Sequence, residues 1–353
     1  MASKRQHYIP RFLLRGFASQ ARGNKVLTWY FRKGRPPVEV SLRDIGLGKS
    51  FYDSSLATGL DQGITAREKA LAEMLSRVRN EHGVRASDLD LLVEFLVLTI
   101  CRTSHVRQAL GAAVKGTLQR VGQRLTRPDE LERLFALEFR RSPEKFRKYV
   151  IDAIRKQWGG PNPIIETVAM KMIEGNLDFI VREFAKEGAE FVSCLLPLVE
   201  NDAPRQMGEH HKKALKDMLR DLRGTPRFKE YANLRWSVRR PQDGHFILGD
   251  VCVMEIDSQT LEISSAIKSG PGSGTILFPV AHNCILVGTS SPEAGIPSHS
   301  EVNAQSAELS VDFFVSAVKT PELETLASNI GKRASLVSEA ELDEIERETF
   351  DTD

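Results

Sequence analysis

Residues 91–100 constrain the fold more than any other segment, because they are apolar on almost every face of a helix. Leucine, valine, phenylalanine and isoleucine dominate the segment, and Glu94 is its one charged residue. A helix that is apolar nearly all round must be covered by other elements, so we expect it at the centre of the fold. The segment is also far shorter than the roughly 20 residues of a membrane span.

The patterns on either side of this helix change twice along the chain. Strands are predicted over residues 25–32, 38–42 and 50–53, with a turn at 34–37. Helical spacing then dominates, beginning at Thr65, which has capping-box spacing to Glu68. Helices are also predicted near residues 128–140, 143–157, 164–187 and 205–223.

Strand patterns return after residue 228. They occur at residues 234–238, 246–248, 251–254, 276–278 and 284–287, with a loop at 269–274 and a closing helix over 300–318. Because strands and helices are segregated and do not alternate, the sequence predicts an α+β fold. It comprises a strand-rich N-terminal segment, a central helical block and a mainly β C-terminal part closed by a helix.

We expect one α+β domain over residues 1–330 and an acidic tail over residues 331–353. Within that domain, residues 1–60 form an arm and short strands, 65–225 the helical block and 228–318 the mainly β part. The N-terminal stretch is basic up to Glu39, whereas the last 15 residues carry eight acids against Arg347. These oppositely charged ends either pair with one another or are both solvated.

The composition is that of a globular protein, with 41% hydrophobic and 27% charged residues. The four cysteines are widely spaced, which predicts neither a zinc site nor a disulfide framework and favours a reducing compartment. No apolar signal-peptide segment follows the basic start. We therefore expect a cytoplasmic protein with no membrane partner.

The arm over residues 4–17 holds the first candidate site. His7 can exchange a proton near neutral pH, and Arg11 and Arg15 can hold a phosphate or stabilise developing negative charge. Pro10 fixes its own φ and biases the residue before it toward an extended backbone, which makes the presentation of His7 rigid. The alternative is structural, with His7 hydrogen-bonding the arm onto the helical block.

Arg102 follows the apolar helix, and a buried arginine there must find a partner. A phosphate or carboxylate of a ligand is one partner for Arg102, with Arg107 nearby; the side chain of Asp250, Glu68 or Glu73 is another. Asp250 follows a predicted strand, where a carboxylate can bind a metal or orient His7. We predict a catalytic group of His7, Arg102 and Asp250, with a structural salt bridge and a turn as the alternatives. His282 offers a further histidine, with a turn role as its alternative.

A basic stretch over residues 205–240 is the second candidate for phosphate binding. Lys212, Lys216 and Arg220 recur at four-residue steps and form one basic helix face. A solvated face is the alternative. Phosphate-binding loop, zinc-protease, hydrolase-elbow and dinucleotide fingerprints are all missing from the sequence. No metal ligands are therefore predicted, and no cofactor is identified.

The opening stretch resembles a largely bacterial family known as domain-of-unknown-function family 4238. Its members begin with histidine–tyrosine–aliphatic–proline and continue with leucine–basic–x–phenylalanine, which residues 6–10 and 14–17 match. Similar features are Arg102-Thr103, Trp236 with Phe246 and Asp250, and Phe278-Pro279 before an Asn303-containing helix. Where members carry an Asp-Asn-Pro-like run, residues 249–252 keep only the aspartate. The resemblance spans residues 4–318 and implies no settled activity.

Our leading hypothesis is a bacterial protein that binds or acts on nucleic acid, as a nuclease-like effector in a defence or toxin setting. The basic arm, the basic helix face and the predicted catalytic group motivate it. One alternative is a non-enzymatic interaction module in which the polar motifs lock the arm to the core. Another is an enzyme on a small anionic substrate, which a deep pocket lined by His7 and Arg102 would favour. Whether the protein is an enzyme stays open at this stage.

Overall fold

The computed structural model describes residues 5–49, 60–81, 83–267, 274–290, 295–335 and 337–350. The chain divides into two compact units. The first comprises Met1–Gly111 and Gln206–Ser338, and the second comprises Ala112–Arg205 and Glu339–Asp353. Two such units can belong to one evolutionary domain, so the single domain expected over residues 1–330 stays a prediction. The strand predicted at 50–53 and nearly all of the loop predicted at 269–274 lie outside the described residues.

All described strands belong to the first unit. In chain order they are β1 (Arg5–His7), β2 (Gln20–Arg22), β3 (Lys25–Arg32), β4 (Arg35–Ser41), β5 (Leu47–Lys49), β6 (Arg235–Arg239), β7 (Leu248–Gly249), β8 (Met254–Ile256), β9 (Ile263–Ser265), β10 (Thr275–Ala281), β11 (Cys284–Thr289) and β12 (Phe313–Ser316). They form an antiparallel β1–β5 pair and two antiparallel five-stranded sheets. One sheet has the order β6-β11-β10-β8-β9, and the other has the order β2-β3-β12-β7 with β4 paired to β3.

The helices lie in both units. In chain order they are α1 (Arg11–Leu14), α2 (Leu60–Asn80), α3 (Leu89–Cys101), α4 (Ser104–Leu125), α5 (Pro128–Arg141), α6 (Pro143–Trp158), α7 (Pro163–Gly175), α8 (Leu177–Arg220), α9 (Pro226–Ala232), α10 (His299–Leu309), α11 (Pro321–Leu326) and α12 (Glu339–Phe350). None of the helices in the described ranges is both long and apolar enough to cross a membrane. Segregated helices and antiparallel sheets confirm the predicted α+β class.

Helix α3 lies in the core of the first unit, as its all-round apolar surface predicts. Nearly every side chain from Leu92 to Ile100 is buried, and Phe95 contacts both Phe12 of the arm and Phe278 of β10. The arm contributes its own apolar side chains to the same core, and Ile9 is fully buried there. Burial of each such side chain stabilises the fold by about 1.5–3 kcal/mol, so the arm is held as part of the core.

Two predicted helix boundaries are wrong. Helix α2 begins at Leu60, five residues before Thr65, and it continues through Gly63 although glycine is a weak helix former. The closing helix predicted over 300–318 ends at Leu309. Phe313 and Phe314, which fall within that predicted helix, lie in β12 between β3 and β7. Aromatic residues favour strands, and pairing on both sides decides their conformation.

Two further predictions differ from the structure, one at the ends of helices and one at a turn. The helix predicted over 164–187 is broken at Asn176, whereas α8 runs without a break through residue 204, where the chain has a proline. The turn predicted at 34–37 is shorter, because residues 36 and 37 already belong to β4. Prolines are tolerated in β4 because it pairs only with β3 and is an edge strand.

The acidic C-terminal residues are ordered as α12 in the second unit and do not form a simple tail. Leu342 and Phe350 are buried, and the Arg133 guanidinium donates to the Phe350 carbonyl at 2.6 Å. Glu339 and Asp343 pair with Arg120 of α4. The acids at this end therefore pair with arginines of the second unit, and the contacts described for them do not involve the basic arm.

Candidate functional site

Arg102 holds the N-terminal arm through backbone carbonyls. It caps the C-terminal end of α3 and is only 2% exposed. Its Nε donates to the Tyr8 carbonyl at 2.9 Å, and its Nη2 donates to the His7 carbonyl at 3.1 Å and to Glu68 Oε1 at 3.3 Å. The planar fork of the guanidinium thus donates to two successive backbone carbonyls of the arm and ties the arm to the end of α3.

His7 is half-buried at the end of β1. Its Nδ1 lies 3.1 Å from the carbonyl oxygen of Ile45, just before the paired strand β5. Because a carbonyl oxygen only accepts, this contact places a proton on Nδ1. The ring thus adds a side-chain contact to the β1–β5 pair, as the structural alternative for His7 expects.

Asp250 organises the loop between α10 and β12. It is fully buried, and its carboxylate accepts the amide hydrogens of Val311 at 2.8 Å, Asp312 at 2.7 Å and Phe313 at 3.4 Å. Burial raises the pKa of Asp250 to about 7, while these amide hydrogens pull the pKa back down. Within the described part of the chain, this carboxylate has no hydrogen bond to His7.

Two members of the predicted catalytic group influence the thiol of Cys252. Burial raises the pKa of this thiol, the Asp250 charge raises it further, and the Arg102 charge opposes both effects. Arg102 and Asp250 therefore lie within electrostatic range of one buried thiol. The backbone of Cys252 has a φ of +64°, a conformation that costs a non-glycine residue about 1–3 kcal/mol. The structure brings His7 and Arg102 into contact through a backbone carbonyl, whereas Asp250 bonds the backbone of residues 311–313.

The predicted phosphate-binding residues occupy three places in the first unit. Arg11 lies exposed on α1, and Arg15 is exposed directly after that helix. Arg107 is half-buried on α4, where its charge lowers the pKa of His211 after the larger effect of burial. Lys212, Lys216 and Arg220 lie on α8, where Lys212 donates to Glu209 at 2.8 Å and Arg220 donates to Asp217 at 3.3 Å. The helix face is thus less basic than its lysines and arginine imply.

A different cationic surface gathers side chains from distant parts of the sequence. We call it the histidine–arginine surface, and it comprises Arg15, Arg239, Arg240, His245, His282 and His299. The His245 and His282 rings have centroids 5.5 Å apart. Burial lowers the pKa of His245, and the charges of His282 and then His299 add to the lowering. The three histidines therefore share one electrostatic environment.

Gly16 connects the arm to this surface. Its carbonyl accepts the His282 backbone N–H at 2.8 Å and also faces His282 Nδ1 at 3.0 Å. A Cβ at Gly16 would overlap the Val280 carbonyl and the Arg79 guanidinium, so only glycine allows this approach. His282 consequently carries its proton on Nδ1 and leaves Nε2 for another partner.

Arg79 interacts with the arm and with two arginines of the histidine–arginine surface. Its guanidinium donates to the carbonyls of Phe12 at 3.0 Å, Leu13 at 2.9 Å and Val280 at 2.6 Å. Its own carbonyl accepts Nη2 of Arg240 at 2.5 Å. Burial lowers the pKa of Arg79 to about 10, and the nearby charge of Arg15 contributes to the lowering. Arg79 therefore links the arm, β10 and two cations of the histidine–arginine surface.

Helix α10 fixes the remaining histidines. Asn303 donates from Nδ2 to the His245 carbonyl at 2.7 Å, and its Oδ1 accepts the Ile247 amide at 2.9 Å. His299, the first residue of α10, lies against Gly244, which has a φ of +83° and no room for a Cβ. The helix begins with a capping box in which Ser298 and Glu301 bond each other. The polar residues of α10 thus position both histidines.

A pocket of about 420 Å³ opens within this surface. Its walls include Arg239, Arg240, Asp243, Phe246 and His299. Arg239 is exposed, and the described part of the chain gives its side chain no ion pair or hydrogen bond. Among the described residues of the wall, Asp243 is the one acid. The pocket is therefore suited to an anion that is larger than a single phosphate.

The sequence identified part of this surface and missed the rest. Arg15 and His282 were named as candidates, but nothing indicated that Gly16 joins them. His245 and His299 escaped notice because each stands alone beside a predicted element, without metal-ligand spacing. Among the described residues, no group of three or more His, Cys, Asp or Glu side chains is arranged to hold a metal ion.

Comparisons with known proteins support the family alone. No curated protein and no solved structure matches the chain. A family model described as "Protein of unknown function (DUF4238)" matches residues 5–320. That range contains the arm, both five-stranded sheets and helix α10. The resemblance noted in the sequence is therefore confirmed, and the chain belongs to the DUF4238 family of proteins of unknown function.

Proposed function

We propose that the protein binds nucleic acid through the phosphates of its backbone, at the histidine–arginine surface. The observation that carries the proposal is the convergence of three arginines and three histidines in and beside a pocket, in whose described wall Asp243 is the single acid. The planar forks of arginine match the oxygens of phosphate and can bind them in a bidentate manner.

The extent of the surface favours a polymer over a small anion. Arg15, His245 and His282 do not line the pocket, yet they connect to it through Gly16, Arg79 and the His245–His282 contact. One phosphate can occupy the pocket while its neighbours along a strand reach the flanking cations. Phe246 is buried, so base stacking on its ring does not contribute. We therefore expect binding that tolerates different base sequences.

Arg102 and Asp250 of the predicted catalytic group are better suited to holding backbone in place. Arg102 donates to carbonyls of the arm, and the Asp250 carboxylate accepts three amides of the loop between α10 and β12. This geometry supports a structural role for both residues, while their use in catalysis stays a prediction. Because Arg102 fixes the arm that carries Arg15, it supports binding indirectly.

Equilibrium titration of fluorescein-labelled single-stranded RNA and DNA tests the proposal. Arg239→Gln should weaken binding about five- to tenfold, because it removes an exposed charge that contacts phosphate. Lys216→Gln is the matched control, since Lys216 is also exposed and has no described ion pair, but lies on α8. Equal weakening by both variants, or no binding by the wild type at low salt, would contradict the proposal.

RNA cleavage is a second candidate function, favoured by the His245–His282 contact. Two adjacent imidazoles can divide the roles of proton acceptor and proton donor at one phosphate. His245 is exposed, and Nε2 of His282 is left for a ligand by the Nδ1 contact with Gly16. Incubation of labelled RNA with wild type and His245→Asn decides this point. Intact RNA with the wild type, or equal cleavage by both proteins, would exclude the pair as the acid and base.

The defence or toxin setting also stays a proposal. If RNA is bound or cleaved in cells, expression of the wild type should slow bacterial growth more than expression of Arg239→Gln. Equal growth of both strains at equal protein levels would remove the support for that setting.

A further inference from the structure

The second unit contains an apolar pocket of about 430 Å³ between α5, α6 and α8. Its wall is mainly aromatic and aliphatic and includes Phe135, Phe139, Tyr149, Val150, Val181 and Phe184. The charged wall residues Glu138 and Lys145 pair with each other, with Lys145 Nζ 3.7 Å from Glu138 Oε1. The pocket therefore selects apolar groups, and its volume falls in the ~300–1,000 Å³ range of binding sites.

An exposed apolar stripe on α8 continues from this pocket. Phe184 belongs to both, and Phe191, Leu195 and Leu198 follow it on the same face of the helix. Phe184 is 58% exposed, Phe191 64% and Leu198 65%. At 1.5 Å per residue the stripe is about 21 Å long, which is the length of a helix of about 14 residues.

The exposed area suits a single helix better than a second copy of the chain. An aromatic side chain offers about 150–250 Å², so Phe184 and Phe191 alone leave roughly 200–300 Å² exposed. With the two leucines, the stripe reaches the size of the largest patches on monomeric proteins, which are often functional. Stable pairs of folded proteins bury more, about 800 Å² on each partner.

A row of carboxylates borders the stripe and indicates the charge of the partner. Glu183, Glu187 and Glu190 are exposed at four- and three-residue steps, and Glu187 neighbours both phenylalanines of the stripe. Within the described part of the chain, none of these carboxylates has an ion pair or a hydrogen bond. Lys186, the nearest cation along α8, lies on the side of the row away from the stripe.

This row also opposes self-association. Two copies that pair through the stripe with antiparallel α8 helices would bring their acidic rows together, and like charges across an interface are unfavourable. A cationic partner gains from the same row. Recognition of an amphipathic helix in an apolar groove uses this combination of apolar anchors and flanking charge.

We propose that the pocket and the stripe form a docking groove for a basic amphipathic helix of a partner protein. The apolar side chains of that helix fill the pocket and cover Phe191 and Leu198, and its lysines or arginines pair with the acidic row. This groove lies in the second unit, whereas the histidine–arginine surface lies in the first. Either proposal can therefore fail without the other.

Fluorescence anisotropy of the full chain tests the groove. The probe is a fluorescein-labelled 14-residue peptide with leucine on one helical face and lysine on the other. It should bind saturably with one peptide per chain, and an unlabelled peptide with glutamate in place of lysine should not displace it. Absence of saturable binding, or displacement by the glutamate peptide at equal concentration, would overturn the proposal.

Phe191→Ser should weaken binding of the lysine peptide about tenfold, because Phe191 is an apolar anchor. Phe179→Ser is the matched control, since Phe179 is also 64% exposed on α8 but lies on another face and outside the pocket wall. Both side chains are exposed, so both variants should fold normally. Equal affinities of these two variants would overturn the assignment of the peptide to the stripe.

Glu187→Gln/Glu190→Gln should weaken binding about fivefold, because two exposed ion pairs are lost. An unchanged affinity would show that the acidic row does not select the partner, and the proposal would fail. Light scattering after size-exclusion chromatography tests the second copy as occupant. A wild-type dimer that becomes a monomer in Phe191→Ser would assign the face to self-association and overturn the proposal. Cosedimentation of the wild type, but not of Phe191→Ser, with phosphatidylcholine vesicles would overturn it in favour of a membrane.

Discussion

At the scale of single residues, the buried Arg102 and the half-buried Arg79 connect the arm to the rest of the first unit. The sequence singled out Arg102, because an arginine after an apolar helix must find a partner. Arg79 was missed, since it follows Val78 in a helix whose apolar spacing already accounted for the segment. Both guanidiniums satisfy carbonyls of the arm, and such pairings depend on chain segments that no local pattern relates.

Arg102→Ala should release the arm. The carbonyls of His7 and Tyr8 would lose buried donors, at a cost of about 3 kcal/mol in the free energy of unfolding. We expect a lower Tm and faster tryptic cleavage after Arg11 and Arg15. Arg220→Ala, on the exposed face of α8, is the control and should change neither value. Unchanged proteolysis of the arm in Arg102→Ala would show that other contacts suffice to hold it.

Asp250 predicts a pH dependence of stability with a defined sign. Its pKa is raised to about 7 in the folded protein from an ordinary value of about 3.9, so the folded state binds the extra proton between these limits. Its contribution is therefore fully present below pH ~4 and is lost as the pH rises through ~7.

Asp250→Asn should lack this slope and should also be less stable, because its amide group accepts fewer backbone hydrogens. The measurement is Tm against pH for both proteins. The buried histidines titrate in both proteins and cancel in the difference. A difference in Tm that is constant from about pH 4 to about pH 8 would contradict the shifted pKa.

At the scale of elements, sequence patterns predicted the conformation of segments that depends on residues neighbouring in sequence. Strand β3 has the predicted bounds, because β-branched and aromatic residues fill most of its length. The segment after Leu309 was misassigned, since Phe313 and Phe314 fit a helical spacing equally well. Their conformation follows from β3 on one side and β7 on the other, which are remote in sequence.

The candidate site likewise depends on contacts between segments that are remote in sequence. His245, His282 and His299 belong to three different segments, and only the sheet and α10 bring them together. The sequence could therefore supply residue types suited to phosphate, but not the surface on which they meet. His282 was named, and its neighbours were not.

Asn303→Ala tests whether α10 positions the histidines. The substitution removes the donor to the His245 carbonyl and the acceptor for the Ile247 amide, at a cost of about 2–3 kcal/mol. We expect a lower Tm together with weaker RNA binding measured well below that Tm. Ser300→Ala, on the exposed N-terminal turn of α10, is the control and should bind RNA normally. Normal RNA affinity in Asn303→Ala would separate α10 from the site.

At the scale of the whole molecule, the family match crosses the boundary between the two compact units. Local charge predicted an acidic tail, but α12 contributes Phe350 to the second unit, where the Arg124 guanidinium lies 4.5 Å from its ring centroid. A tail and a docked helix have the same composition. The burial of Leu342 and Phe350 distinguishes a docked helix from a tail, and this burial is visible in the structure but not in the sequence.

Deletion of residues 339–353 should therefore destabilise the second unit selectively. Buried Phe350 and Leu342 would be lost together with the acids that pair with Arg120. Hydrogen exchange should accelerate in α5 and remain slow in β10 and β11 of the first unit. Equal acceleration in both units would show that they unfold as one, and no change would show that α12 is dispensable.

The proposed nucleic-acid function is tested most directly by the salt dependence of RNA binding. Each phosphate contact on a single strand contributes about 0.7 to the slope of log Kd against log salt concentration. Arg15→Gln/Arg239→Gln should therefore have a slope about 1.4 units shallower than the wild type for single-stranded RNA, while Lys216→Gln retains the wild-type slope. Equal slopes for the wild type and the double variant would contradict phosphate binding at the histidine–arginine surface.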